Sequence, residues 1–255
     1  MQCIISKSSF LSRSSSFFSN DFSKNISLKK VIVGGEPMTK SLIEIFKKKL
    51  DIQLINMCGP TEVCMDSTYW ICDSYTPKLG KPLNETYAYV LDRDLNIVPF
   101  GQIGELYFSS KAIGRGYVGL PDLTAEKFIA NLFGDNGDRL YRSGDLVRWL
   151  PDGNLDYLGR KDFQVKIRGF RVEIEEIEKL LDGFCGITQK IIVVKKNQQT
   201  KNNYLVCYYS GKYQVESEKI IEYLSKYLPE YMIPTLFVFL SEMPINSNGK
   251  IDRNA

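Results

Sequence analysis

The 255-residue chain contains no histidine. That absence removes the side chain whose ordinary pKa best suits proton transfer near neutral pH. It excludes Ser-His-Asp and Cys-His catalysis and every His-ligated zinc site. Any chemistry must rest on carboxylates, lysine, arginine and backbone donors. Cysteine is sparse, with six residues and no Cys-x-x-Cys pair. A disulfide framework is not expected in a chain of this size, and a reducing cytoplasm fits better. No apolar run approaches the length of a transmembrane helix, so no membrane partner is expected. A dominant charge is also lacking: 33 basic residues face 30 acidic ones, for a net charge of +3. Electrostatics therefore give no reason to expect a nucleic-acid partner. What remains, 44% hydrophobic and 25% charged, is the composition of a globular chain with one large or two small cores.

Residues 1–27 hold ten serines and a single acidic residue, Asp21. The composition is that of a transit peptide, but no Arg-rich amphipathic helix accompanies it. The expectation is a poorly ordered Ser-rich leader, with ordered structure starting near Leu28. Val31–Val33, ended by Gly34 and Gly35, reads as a buried strand. Thr39 can cap a helix that places Leu42, Ile43, Phe46 and Leu50 on one face. Ile52–Asn56 is the next strand, which makes a parallel βαβ unit. From Gly80 to Leu158, short alternating segments (Thr86–Leu91, Gly104–Phe108, Leu146–Leu150) predict a barrel-like antiparallel region. A helix near Leu123–Ile129 interrupts it. Beyond Gly159 the pattern predicts a strand at Gln164–Arg168 and a helix at Glu173–Leu181 capped by Gly183. Strands at Ile191–Val194 and Tyr204–Tyr209, a helix through Ile220–Leu228 and a strand at Leu236–Leu240 follow. The fold class is thus α/β plus α+β. A large-subdomain portion (28–161) is followed by a small C-terminal lid domain (162–255).

Several turns carry chemistry. Asn56-Met57-Cys58-Gly59-Pro60-Thr61-Glu62 follows a strand, where open α/β sheets bind ligands. Thr61 offers a hydroxyl to phosphate and Glu62 a hard oxygen to Mg²⁺; alone, such a segment is only a turn. Tyr141–Asp145 reads as a second turn whose acid can accept both ribose hydroxyls. The cation-rich Gly159–Glu173 reads by itself as a solvated strand face. Asn248-Gly249-Lys250 is a hairpin turn presenting one lysine. Gly114-Arg115-Gly116-Tyr117-Val118-Gly119 spells a dinucleotide-binding fingerprint. It lacks a βαβ strand before it, and Leu120-Pro121-Asp122 should break any helix after it, so that reading is rejected.

In order and spacing, seven blocks resemble the adenylate-forming, AMP-binding enzymes, and specifically the amino-acid adenylation domains of nonribosomal peptide synthetases. The blocks are Val31–Glu36, Asn56–Glu62, Gly104–Phe128, Tyr141–Asp145, Gly159–Glu178, Leu228–Pro234 and Asn248–Arg253. The Gln-Val-Lys-Ile-Arg-Gly and Leu-Pro-Glu-Tyr-Met-Ile-Pro segments favour the peptide-synthetase branch over acyl-CoA ligases.

The resemblance implies ATP and Mg²⁺, an amino-acid substrate, and a phosphopantetheine thiol on a separate carrier-protein domain. It implies that Gly35, Glu36, Asn56, Met57, Cys58, Gly59 and Thr61 line the adenine and phosphate site. Glu62 would hold Mg²⁺, Asp145 and Arg160 would meet the ribose, and Tyr157 would pack near the nucleotide. Lys250 would bridge the substrate carboxylate and the α-phosphate. Asp162 would be the hinge between subdomains, and Gly169 would lie beside the thiolation tunnel. Ile32, Gly34, Met57, Met65 and Asp66 would line the amino-acid pocket. Asp66, an acid among apolar neighbours, would meet a cationic side chain there, such as ornithine's; the alternative is that it turns outward or caps a neighbouring backbone amide.

Two departures stand out. Cys58 replaces the family's adenine-stacking aromatic. The Ser/Thr/Gly-rich phosphate loop ending in lysine occurs nowhere in these residues, so an N-terminal half supplied separately is expected. The competing expectations are a non-catalytic remnant of such a domain, a fragment of a related acyl-activating ligase, and, far behind, a nucleic-acid binder.

Overall fold

Ordered backbone begins earlier than the composition of the first residues suggests. The computed structural model describes residues 2–7, 28–135, 137–162, 164–167, 169–197, 203–246 and 251–253. Within it, Gln2–Lys7 forms strand β1, paired in parallel with β2 (Leu28–Gly34). The start expected near Leu28 is therefore corrected. The rest of the Ser-rich leader, 8–27, lies outside the described residues. The chain divides into two compact units, 1–162 and 163–255.

In the first unit, helix α1 (Lys40–Lys49) follows β2. Thr39 caps it, its hydroxyl accepting the Leu42 amide at 3.3 Å. Leu42, Ile43 and Phe46 are buried on one face of α1, as their spacing requires. They pack in one cluster with Val31, Val33, Leu54 and Trp70 of the sheet beneath. Each such burial contributes roughly 1.5–3 kcal/mol. Strand β3 (Gln53–Cys58) pairs in parallel with β2, completing the βαβ unit. Strands β4 (Thr68–Ile71) and β5 (Lys81–Pro82) then turn the sheet antiparallel, giving the order β1-β2-β3-β4-β5.

A second, antiparallel sheet is built from β6 (Thr86–Leu91), β7 (Gly104–Ser110), β8 (Phe128–Ala130), β9 (Arg139–Trp149) and β10 (Leu155–Arg160). Its order is β10-β9-β7-β6, with β8 on β9. It is a curled half-barrel rather than a closed one. Helix α2 (Pro121–Lys127) interrupts it and starts on the proline expected to prevent it. A proline in the first helical turn costs nothing, because its missing N–H would have had no helical partner. The Gly-x-Gly-x-x-Gly segment still follows an antiparallel strand, β7, so no dinucleotide-binding βαβ exists there.

Tyr141–Asp145 is not a free-standing turn. It lies inside the eleven-residue β9. Opposite β7 the register jumps: Tyr107 pairs with Arg142 while Glu105 pairs with Leu146. Ser143, Gly144 and Asp145 thus bulge from the ladder, with Gly144 at φ +79°. Bulges of this kind re-aim side chains at sites.

The second unit contains β11 (Val165–Ile167), β12 (Phe170–Val172), α3 (Ile174–Leu181), β13 (Gln189–Lys196), β14 (Asn203–Ser210), α4 (Ser217–Ser225) and β15 (Leu236–Phe239). Strand β14 pairs antiparallel with β13 and parallel with β15. Ile177 and Leu181 of α3 and Ile220 and Leu224 of α4 share one core with Ile192, Leu205 and Cys207 of the sheet. Gly183 is not the left-handed cap expected of it. Asp182 caps α3 in right-handed geometry, and the Gly183 amide bonds back to the Leu180 carbonyl at 3.1 Å.

Candidate active site

Of the residues expected at the site, Gly34–Glu36 and Asn56–Glu62 lie where β2 and β3 end. Gly34 closes β2. A Cβ there would sit 2.7 Å from the Met57 carbonyl oxygen, so the two strand ends can approach this closely only with glycine. Asn56, 5% exposed, donates its side-chain amide to the Lys78 carbonyl at 3.2 Å. Leu79 and Gly80 beside it pair with Leu155 at the start of β10. Asn56 thereby helps tie the parallel sheet to the half-barrel.

After β3 the chain makes a 3₁₀ turn, Thr61–Val63. Cys64 and Met65 both take left-handed backbone, at φ 61° and 64°. Two consecutive non-glycine residues in that region are strained and need support from their surroundings. Several bonds supply it: Met65 N–H to the Pro60 carbonyl, Ser67 N–H to the Cys58 carbonyl, and the Ser67 hydroxyl to the Val63 carbonyl. Val63 itself is buried with Leu106, Phe108, Phe128 and Tyr141 in the core of the half-barrel. At Gly59 a Cβ would meet the Ser67 amide at 2.5 Å and the Met65 carbonyl oxygen at 2.6 Å. We therefore expect Gly59→Ala to destabilise the chain by about 1–3 kcal/mol, read as a lower urea midpoint at unchanged slope. An unchanged midpoint would show that the loop yields freely.

Glu62 is oriented by the segment dismissed as a fingerprint. Its Oε1 accepts the Tyr117 hydroxyl at 2.6 Å, and its backbone carbonyl accepts the Gly114 amide at 2.8 Å. Thr124 of α2 accepts the Tyr117 amide at 2.9 Å, and Arg139 donates to the Gly114 and Arg115 carbonyls. Tyr117 was missed in the sequence because its glycine-rich setting suggested a different motif. Among the described residues no group of three or more acidic or thiol side chains could hold a metal ion.

On the half-barrel side, the Asp145 bulge meets β10. Arg160 donates Nη1 to Asp145 at 2.9 Å and grips Asp162 with Nε and Nη2, both at 2.6 Å. A Cβ on Gly144 would lie 2.7 Å from both Arg160 and Asp162. Tyr157 feels Asp145, Arg160 and Cys58 electrostatically; burial first, then the Asp145 charge, pushes its phenol up to about 12. Cys58, at the end of β3, thus lies within electrostatic range of Tyr157 on β10, which the charges of Asp145 and Arg160 also reach.

Other expected residues are not enclosed in this way. Met65 is 67% exposed and Asp66 is also exposed, its carboxyl raised above the usual range by partial burial. The apolar surroundings expected for Asp66 are not formed by the described residues. Ile32 and Met57 are half-buried, Gly35 takes φ +83°, and Glu36 follows it. In the second unit Gly169 takes φ +81° between β11 and β12. Lys250 lies outside the described residues. Its flanks are anchored by an antiparallel Ile245–Ile251 bridge and by Arg253, which donates to both oxygens of Glu178 at 3.0 and 3.1 Å.

Residues 9–118 match the family described as AMP-binding enzyme. Gramicidin S synthase 2 of Brevibacillus brevis is 42% identical over 235 residues, a match that takes in 89% of this chain and 5% of that protein. The chain matches the AMP-binding, adenylation-domain family. Among solved structures, the Vibrio cholerae adenylation domain AlmE, in complex with glycyl-adenosine-5'-phosphate, superposes with a TM-score of 0.82 at 23% identity, covering 98% of this chain and 48% of AlmE. NpsA-ThdA, an artificially fused adenylation-PCP di-domain from Klebsiella oxytoca, gives 0.73 at 25% identity, covering 93% of this chain and 44% of the fusion. The chain thus spans about half of the solved relatives and a small part of the curated synthetases. No helix among its described residues is long and apolar enough to cross a membrane.

Proposed function

We propose that the chain forms the C-terminal portion of an amino-acid adenylation site. It would use ATP to make an aminoacyl-adenylate and pass the acyl group to the phosphopantetheine thiol of a carrier domain. The observation that carries the reading is the docking of the Cys58–Glu62 loop on the half-barrel, where Val63 enters the core and the Glu62 carbonyl accepts the Gly114 amide, with the Asp145–Arg160 pair at the bulge of the same sheet. One side presents a hydroxyl and a carboxylate, the other an acceptor and a cation, which is the complement of a nucleotide's phosphates and ribose.

The absence of histidine suits this chemistry. The attacking amino-acid carboxylate is already ionised at neutral pH, so no general base is required. The α-phosphate is attacked and pyrophosphate leaves, and catalysis is mainly positioning and charge neutralisation. Asp145 would accept the ribose hydroxyls, with Arg160 beside it. Thr61 would donate to a phosphate oxygen, and Lys250 would neutralise charge between carboxylate and α-phosphate. Mg²⁺ commonly takes one or two carboxylates together with phosphate oxygens, and Glu62, held by Tyr117, fits that donor set. When bound, the ion would supply charge neutralisation at the phosphates.

The test is amino-acid-dependent ATP–pyrophosphate exchange by the chain joined to a segment carrying the phosphate loop, profiled over neutral, acidic and cationic amino acids. Exchange with one amino-acid class supports the reading; exchange with none sinks it. The profile also tests Asp66. Enclosed by the joined segment, its carboxylate is expected to select a cationic side chain by about 10-fold or more, with Asp66→Asn abolishing the preference. A neutral preference unchanged by that substitution would remove Asp66 from the pocket and leave the adenylation reading standing.

A further inference from the structure

Glu105 has no part in the site as read so far, yet it is the only acidic residue buried among the described residues, at 5% exposure. It sits in β7 between Gly104 and Leu106, in a strand buried almost throughout. A carboxylate in such a place is costly unless paired and hydrogen-bonded. Its partners are Arg142, through Nε to Oε1 at 2.7 Å and Nη2 to Oε2 at 3.1 Å, and Lys161, through Nζ to Oε2 at 3.0 Å. The Tyr107 phenol also faces it; burial and then the Glu105 charge push that phenol up to about 12, so it stays protonated. Burial by itself would raise the Glu105 carboxyl, but the hydrogen bonds from Arg142 and Lys161 outweigh burial and hold it below the usual carboxylate range.

The placement of the two cations is informative. Arg142 is the last β9 residue before the Ser143-Gly144-Asp145 bulge. Lys161 directly follows Arg160, and its backbone amide donates to the Gly144 carbonyl at 2.8 Å. One buried carboxylate thus grips both strands at the bulge. Asp145 and Arg160, bonded to each other at 2.9 Å, ride on the gripped segments.

We propose that Glu105 is a positioning residue for the nucleotide's ribose: through Arg142 and Lys161 it sets the places of Asp145 and Arg160. The proposal rests on the reading of Asp145 and Arg160 as ribose ligands. Glu105→Gln keeps the shape but replaces one acceptor oxygen by an amide donor facing a cation. The bulge then loses a charge-assisted tie, and the ribose acceptor shifts.

The experiment compares binding of AMP and of 2',3'-dideoxy-AMP to the 255-residue chain by calorimetry, beside amide hydrogen exchange without nucleotide. The wild type is expected to prefer AMP. Glu105→Gln is expected to weaken AMP about tenfold, the scale of one lost charge-assisted hydrogen bond, and the dideoxy analogue less than twofold. Lys161→Met, at a half-exposed side chain, is the second variant should the first fold poorly, and it is expected to lose the same preference. Equal losses on both nucleotides, or no loss on either, would overturn the proposal. If the wild type shows no preference for AMP, the ribose reading itself fails and positioning of the ribose falls with it. In that case faster exchange at 143–146 and 159–162, with β2–β4 unchanged, would mark the grip as purely structural.

Discussion

Purified by itself, the 255-residue chain is expected to show no amino-acid-dependent ATP–pyrophosphate exchange above background. Joined to a segment that carries a phosphate loop, it is expected to gain exchange by a factor of about 10³ or more. The reason lies in the donors available. The β- and γ-phosphates carry most of the nucleotide's charge and must be held in line for pyrophosphate to leave. These residues offer Thr61 and Glu62 near the strand ends but no glycine-rich loop of backbone amides with its lysine. The exposed position of Asp66 and Met65 agrees with a site that needs a further wall. Pre-organised donors of this kind are worth about 10²–10³ in rate each, so the loss of several places the isolated chain below detection. Robust exchange by the isolated chain with any amino acid would overturn the expectation and require another phosphate ligand within residues 1–255.

In the joined enzyme, Lys250→Ala is expected to lower adenylate formation by about 10²–10³-fold while leaving AMP binding and the urea midpoint unchanged. The lysine would supply a positive charge between two anions, the substrate carboxylate and the α-phosphate, and neither Arg160 nor any histidine can substitute. Arg160 is engaged by Asp145 and Asp162, and the chain has no histidine. The Arg253–Glu178 pair does not involve this lysine, so the effect is expected on kcat rather than on folding. Lys250→Arg serves as the charge-conserving control. A loss of less than tenfold in Lys250→Ala would remove this lysine from the reaction.

Much of the fold could be read from periodicity. Leu42, Ile43 and Phe46 at helical spacing, capped by Thr39, yielded α1 nearly to the residue, and Thr86–Leu91 is β6 as expected. Local chemistry misled where a residue has two uses. Pro121 reads locally as a breaker, but at the first helical position it is an initiator. Gly144 looked like the apex of a turn, but its left-handed backbone serves a bulge within a long strand. Gly183 had the spacing of a left-handed cap, yet Asp182 and right-handed backbone do that work.

The candidate site divides along the same line. Residue types settled one point by themselves: no histidine, hence no imidazole base; the Thr-Glu turn after a parallel strand reads alone as only a turn, and its proposed phosphate and Mg²⁺ roles come from the order and spacing of all seven blocks. Local patterns decided the βαβ unit and the small α+β unit, because helix and strand periods depend only on neighbours along the chain. Partnerships between distant segments belong to the tertiary structure alone. Tyr117 finds Glu62 across 55 positions, Lys161 finds Glu105 across 56, and Val63, just past the end of β3, enters the core of the other sheet. No spacing rule reaches that far. Each partnership exists because packing two sheets together buries a polar group or a strained loop that must then find its complement.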